Sequence, residues 1–390
     1  MPRFHLPQSV LGNKTPPPPA VRSVEYVTGT LALSTTQFDI ALTKGQQLAN
    51  CVPFVSCYEG YWTQSTVPSG AHLYYANIVN SGGLKMRVNR GYSNSTYIPL
   101  TIVSQVIEFN SQIVRVQKIS WTMAISTTAA DPTVPIAYDP AKTFIVNYYT
   151  SDTSAGLVPD DHEIRAAAVV GGATIALRRS FAGNAMTGIA YIVEDITDDN
   201  STFRVQHHYN TAATTGNKDS TLTYSVDVAK TFVLCTLQSS WTSWIPSNLP
   251  IIPTLFDTNT VRINIPSMPN ANTLQWTAQV IEWLDATECE RAAYNYTSPA
   301  TGPGDVPEVA LGTVVSGRDR NTSIVTPAKM HSTHNCAIHT SGVSSTHHEM
   351  AHYIRPHASS GEVLVAYRNS GSIIQKTVVW QSIFFPYLVP

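Results

Sequence analysis

Charge is what this 390-residue chain has least of. Asp, Glu, Lys and Arg make up only 13% of it, about half the ~25% usual in soluble proteins. The net charge is −2, so no basic excess marks a phosphate-binding face and nucleic acid is not an expected partner. No apolar run reaches the ~18 residues of a membrane helix, and no membrane insertion is expected. Residues 1–20 lack the apolar core of a signal peptide, which points to synthesis and folding in a cytoplasm. The five cysteines are too few and odd in number for a disulfide framework. On an extended strand Cys51 and Cys57 share a face but stand roughly 20 Å apart, too far to bond. Cys235, Cys289 and Cys336 read as buried or free thiols.

Helix is the other scarcity. Helical candidates, such as Ile164 to Val170 and Glu288 to Tyr294, are short. Hydrophobic residues at 43% appear instead as short β-branched and aromatic runs, such as Thr143-Phe144-Ile145-Val146-Asn147-Tyr148-Tyr149 and Thr231-Phe232-Val233-Leu234-Cys235. Turn-forming stretches separate them: Ser81-Gly82-Gly83, Asp198-Asp199-Asn200-Ser201 and Pro266-Ser267-Met268-Pro269-Asn270. This is the pattern of an all-β chain built of sandwiches or barrels.

The chain is also repetitive. Ser104-Gln105-Val106-Ile107-Glu108-Phe109 returns as Ala278-Gln279-Val280-Ile281-Glu282-Trp283. Weaker echoes are Ala190-Tyr191-Ile192-Val193-Glu194-Asp195 and Trp380-Gln381-Ser382-Ile383-Phe384-Phe385. A second landmark keeps the same offset: Asp139-Pro140-Ala141-Lys142-Thr143-Phe144 matches Asp227-Val228-Ala229-Lys230-Thr231-Phe232, 88 residues on, as Glu282 follows Glu194 by 88. Fixed recurrence of two landmarks marks tandem units. The expected organisation is an extended Pro-rich arm over 1–23, then β-sandwich modules over 24–120, 121–210, 211–297 and 298–390, stacked like beads. Pro16-Pro17-Pro18-Pro19 favours a stiff polyproline II rod, suited to an anchoring arm.

Each repeat carries an arginine on a middle strand and, in three of them, a glutamate on the recurring strand. Arg87–Glu108, Arg178–Glu194 and Arg262–Glu282 are the candidate ion pairs, the other reading being solvated glutamates on a polar face, with Val114-Arg115-Val116-Gln117 and Phe203-Arg204-Val205-Gln206 as closing strands. Phe384 takes the glutamate's place in the last repeat, and no second carboxylate recurs at a fixed offset, which argues against catalysis by Glu108, Glu194 or Glu282.

Other chemistry concentrates in the fourth repeat. Seven of twelve histidines lie between His331 and His357, and His348-Glu349-Met350-Ala351-His352 matches the H-E-x-x-H of zinc hydrolases, which needs a helix to bring both rings to one ion. Pro356 and a Ser/Thr-rich approach oppose a helix, so a zinc metallohydrolase is a remote alternative. A structural metal on His331, His339, His348 or His352, gathered on strands or about an oligomer axis, is the other reading; no cofactor is expected. Tyr58, Tyr61, Trp62, Trp241 and Trp244 fall in long connections and could meet sugars or a neighbouring chain. Gly82-Gly83 and Gly171-Gly172 lack the residues of a phosphate loop, and Asp160-Asp161-His162-Glu163 lacks a full calcium ligand set.

A low-charge, Thr/Ser/Asn-rich chain without helices and with a short N-terminal arm resembles the virion structural proteins of tailed bacteriophages. The paired landmarks Asp139-Pro140-Ala141-Lys142-Thr143-Phe144 and Gln279-Val280-Ile281-Glu282-Trp283 resemble the tandem β-modules of phage fibre, tail and decoration proteins. The resemblance implies a non-enzymatic protein, made in the host cytoplasm and located in the virion. It would assemble as a homo-oligomer, a trimer or higher, with other virion proteins on the capsid, collar or tail. The alternative it allows is a fibre protein binding a host-surface glycan or receptor.

Overall fold

The computed structural model describes residues 18–32, 35–44, 47–59, 74–91, 100–151, 164–180, 182–198, 202–240, 251–265, 273–297, 304–313, 320–327, 337–341, 352–356, 362–369 and 375–388. Among them the regular structure is β-strand, with three short 3-10 turns and no α-helix. Pro16 and Pro17 lie outside the described residues. Pro18 and Pro19 are exposed and extended into the first strand.

The first repeat contains β1 (Val21–Leu31), β2 (Gln37–Ala41), β3 (Cys51–Glu59), β4 (Tyr74–Asn80), β5 (Leu84–Arg90) and β6 (Leu100–Phe109). The second has β7 (Val114–Met123), β8 (Ala129–Ala130), β9 (Thr143–Ser151), β10 (Arg165–Ala168), β11 (Ile175–Arg178) and β12 (Met186–Asp195). The third has β13 (Phe203–Ala212), β14 (Gly216–Thr221), β15 (Thr231–Ser239), β16 (Ile252–Asp257), β17 (Thr260–Ile265) and β18 (Leu274–Trp283). The fourth has β19 (Glu288–Thr297), β20 (Gly304–Thr313), β21 (Ser323–Pro327), β22 (Ala337–Ser341), β23 (His352–Pro356), β24 (Glu362–Asn369) and β25 (Gln375–Phe384).

Every repeat makes two antiparallel sheets with one topology. The recurring strand (β6, β12, β18 or β25) is the middle of one sheet, between the first strand and the strand that in the second and third repeats follows the Asp-x-x-Lys turn: β1-β6-β3, β7-β12-β9, β13-β18-β15 and β19-β25-β21, with β22 also on β25. The other sheets are β2-β5-β4, β8-β11-β10, β14-β17-β16 and β20-β24-β23. The strands Val114–Met123 and Phe203–Ala212 therefore do not close the repeat before them. They pair with β12 and β18 and open the next.

The two kinds of sheet differ in burial. In the third repeat, β17 alternates half-buried and buried residues, whereas β18 is buried at nine of its ten positions. Trp276, Ala278 and Val280 face a cluster shared with β13, β15, β16 and β17. Ile281 and Trp283 point the other way, into a second cluster drawn from all four repeats, together with Ile107, Phe109, Tyr191, Val193, Ile383 and Phe385. Strand side chains alternate between faces, so a strand covered on both faces reads as an almost unbroken apolar run. The recurring strand β18 is buried on both faces, so Gln279 and Glu282 are buried with its apolar residues.

The shared cluster also decides the overall arrangement. The repeats do not follow one another as beads. Gln105 of the first is hydrogen-bonded to Ser323 and Val325 of the fourth, so the series closes into a ring. A linear stack would leave the inner faces of its two terminal repeats in water; closure covers them.

Candidate functional site

Polar residues form three recurring joints, two between repeats and one within each of the second and third repeats. The first uses the glutamine of the recurring strand. Gln279 accepts from Ile145 N–H at 2.7 Å and donates to Ile145 C=O at 2.8 Å, in the preceding repeat. Gln381 makes the same two-way contact with Val233, both at 2.7 Å. Gln105 accepts from Val325 N–H at 2.7 Å and donates to Ser323 C=O at 2.5 Å. A primary amide presents one acceptor and two donors, so it can pair with both backbone groups of an edge strand.

The joint of the second repeat with the first departs from this pattern. Its partner position is Pro53, which has no N–H to give, and Tyr191 stands where the other repeats have glutamine. Two tyrosines do the work there. Tyr148 Oη donates to Pro53 C=O and accepts from Val55 N–H, both at 3.0 Å. Tyr191 Oη accepts from Ile78 N–H at 3.1 Å and donates to Ala76 C=O at 3.2 Å. Burial raises both phenols far above the ordinary tyrosine range, so they remain neutral donors.

The second joint comes from the first strand of each repeat. His207 Nε2 lies 2.9 Å from Thr143 O and 3.1 Å from Pro140 O; two carbonyls require that this nitrogen carry the proton. Arg291 grips the matching carbonyls of the third repeat, Thr231 O at 3.0 Å and Val228 O. Lys118 Nζ donates to Ile78 O at 2.9 Å and Asn77 Oδ1 at 3.0 Å. In the first repeat Tyr26 receives the Arg320 guanidinium over its ring at 5.1 Å. Burial pushes the pKa values of His207, Lys118 and Arg291 down, because desolvation disfavours the charged form.

The third joint lies within a repeat and corrects the ion pairs expected from sequence. Glu194 pairs with Arg115 (Nε 3.0 Å), not Arg178, and Glu282 with Arg204 (Nε 2.6 Å), not Arg262. The middle-strand arginines lie in the outer sheets and face away from the glutamates. They bind aspartates on the neighbouring strand instead: Arg87–Asp39 at 2.8 Å, Arg178–Asp131 at 2.7 Å and Arg262–Asp219 at 2.7 Å. The second oxygen of Glu194 accepts from Asp139 N–H at 2.9 Å, and that of Glu282 from Asp227 N–H at 2.8 Å. Those aspartates in turn cap the 3-10 turns through Ala141 N–H and Ala229 N–H. Lys142 and Lys230 donate to Thr197 O and Asp285 O. The landmarks that revealed the repeat are thus one device, built on a buried glutamate, that holds the turn before β9 and before β15. Glu108, in the first repeat, accepts from Ser23 Oγ at 3.3 Å. All three glutamates are buried, not solvated.

The remaining expected contacts fare as follows. His352 is the first residue of β23, opposite Tyr367, and His339 lies in β22, opposite Thr377 of the other sheet. A strand at His352 lacks the helical turn that H-E-x-x-H requires. His331 and His348 lie outside the described residues, and among those described no cluster of three or more His, Cys, Asp or Glu could hold a metal ion. Tyr58 lies in β3; Tyr61, Trp62, Trp241 and Trp244 lie outside the described residues. The clamping residues Gln105, Gln279, Gln381, Tyr148 and Tyr191 were not singled out from sequence. Their signal was a glutamine kept inside an otherwise apolar strand in three repeats of four. No protein-family model matches the chain, and no curated protein matches it.

Proposed function

We propose that this protein is a non-enzymatic structural component of a tailed-phage virion. Each repeat serves as a two-sheet sandwich module, and the Pro-rich arm anchors the body on the capsid, collar or tail in a homo-oligomer. The single observation that carries this reading is the use of the recurring polar residues. Glutamine amides, Arg–Glu pairs and turn-capping aspartates repeat along the chain, and each binds backbone of its own or the preceding repeat. Chemistry repeated in this way maintains geometry. A body whose units are fixed by buried hydrogen bonds on both sides of each joint presents its outer surfaces at set angles, as an assembled particle requires.

The test is to purify particles produced by the host strain that expresses this chain, quantify their proteins by mass spectrometry, and locate this one by antibody labelling. The expected result is a fixed multiple of copies per particle at one site. Particles that lack the protein while it accumulates free in the cell would overturn the reading.

A further inference from the structure

The four repeats point the same way. Each first strand begins, and each recurring strand ends, at one end of the ring: Val21 opposite Phe109, Val114 opposite Asp195, Phe203 opposite Trp283, and Glu288 opposite Phe384. The contacts Phe144–Phe203, Phe232–Trp283 and Trp283–Phe385 hold these ends together. The first described residues of the chain leave from there as well. Asn110 ties them down, its Nδ2 donating to Pro19 O at 3.2 Å and its backbone N–H to Ala20 O at 2.8 Å.

This end is apolar with an acidic rim. Leu48 and Val228, which open equivalent 3-10 turns, are each 38% exposed; Ile196 and Leu284, which follow equivalent strands, are 39% and 37% exposed. They are four of the nine large hydrophobic residues left exposed in the described chain, and paired positions in the repeats place them about the same axis. Asp139, Asp198 and Asp227 are exposed beside them and outnumber Arg22, an exposed cation that follows Val21 at this end, while the ammonium groups of Lys142 and Lys230 turn inward onto carbonyls.

Residues 1–17 have the complementary chemistry. They contain Phe4, Leu6, Val10 and Leu11, the cations Arg3 and Lys14, and no acidic residue. The four consecutive prolines between them and the ring are a sequence that favours a stiff spacer, about 12 Å at ~3.1 Å per residue. A spacer of this kind opposes immediate folding back onto the same end and favours reaching another molecule. We infer that residues 4–14 of one copy seat on the apolar, acid-rimmed end of a second copy. The inference rests on the arm-mediated assembly proposed above and adds the surface that receives the arm.

The test uses full-length chains of two kinds, one tagged at its C-terminus and carrying Val10→Cys, the other untagged and carrying Leu284→Cys. They are mixed, oxidised mildly and compared with each single variant alone. A disulfide-linked tagged–untagged pair, absent from the single variants, is expected. In parallel, Ile196→Asp/Leu284→Asp and Phe4→Ser/Leu6→Ser should each shift the sedimentation mass from oligomer to monomer while the far-UV circular dichroism of the folded β chain is retained. Two outcomes overturn the inference: no pair between chains, or an oligomer mass untouched by either double variant. Recovery of the protein in particles alongside any of these leaves the virion reading standing. Cross-linked pairs from a protein absent from particles sink the virion reading alone.

Discussion

The inner and outer sheets share one topology and differ in what their polar side chains do. On the inner sheets a polar group is buried and answers a backbone group of another repeat, as Gln279 answers Ile145. On the outer sheets the recurring polar pair is Asp–Arg across neighbouring strands, partly open to water, as at Asp39–Arg87. The same kind of recurrence thus has two energetic meanings. A buried hydrogen bond is costly to leave half-made, because the remaining group keeps its desolvation penalty without its partner. An exposed ion pair loses little when broken, because water and salt screen it.

The largest effect is expected at the inner joint. Gln279→Ala leaves Ile145 N–H and C=O buried without that partner, and at ~1–3 kcal/mol for each unsatisfied group the loss should be about 2–5 kcal/mol. Denaturant unfolding measures it; a loss below about 1 kcal/mol would erase the distinction between the sheets.

Packing on the inner sheets gives the next largest effect. Gly188 lies opposite Trp121 on β7, and a Cβ there would come 2.4 Å from the indole. In the third repeat the sizes are reversed, with Trp276 on the recurring strand opposite Asn210. Gly188→Ala should cost about 1–3 kcal/mol by overpacking. Combining it with Trp121→Leu should recover part of that loss in a double-mutant cycle, and strictly additive losses would contradict the packing account.

Acid should act on the joint between the second and third repeats before the outer faces respond. Burial lowers the folded pKa values of His207 and His208, so below the ordinary histidine value of ~6.5 the unfolded chain takes up protons that the folded chain refuses. Stability should therefore fall as pH drops from about 6.5 towards the depressed folded values, and this contribution should level off beneath them. His207→Gln/His208→Asn should show a smaller fall in melting midpoint over that window. An identical fall in both proteins would place the acid sensitivity elsewhere.

The smallest effect is expected outside. Arg87→Ala removes the Asp39 partner on the first outer sheet and should cost only about 0–1 kcal/mol. The Arg87 hydrogen bond holds the Asp39 carboxyl below its usual range, so its titration, followed by NMR, should move back up in the variant. A loss of several kcal/mol would mean that the outer sheets, too, are held by their polar pairs.

Much of the architecture was legible in the sequence. The 88-residue offset shared by two landmarks, the β-branched runs and the glycine and proline breaks identify repeated antiparallel units. Partner choice was less legible. Arg178 and Arg262 stand 16 and 20 residues before Glu194 and Glu282, yet Arg115 and Arg204 bind them. The sheets join the first strand of a repeat to its last, across 78 and 79 residues. Sequence proximity cannot indicate which of two sheets an arginine belongs to. Gln105 was equally opaque, because its partners are 218 and 220 residues away.

The sequence by itself determined that this chain would be β-structure in four related units, because local propensity and side-chain alternation act over a few residues and recur with the repeat. Only the tertiary structure decided that the units close into a ring, that the first is clamped to the last, and that a joint lacking an N–H at Pro53 is made by two tyrosines. Those outcomes depend on which apolar faces and which backbone groups of distant segments meet once water is excluded, and no local pattern contains that information.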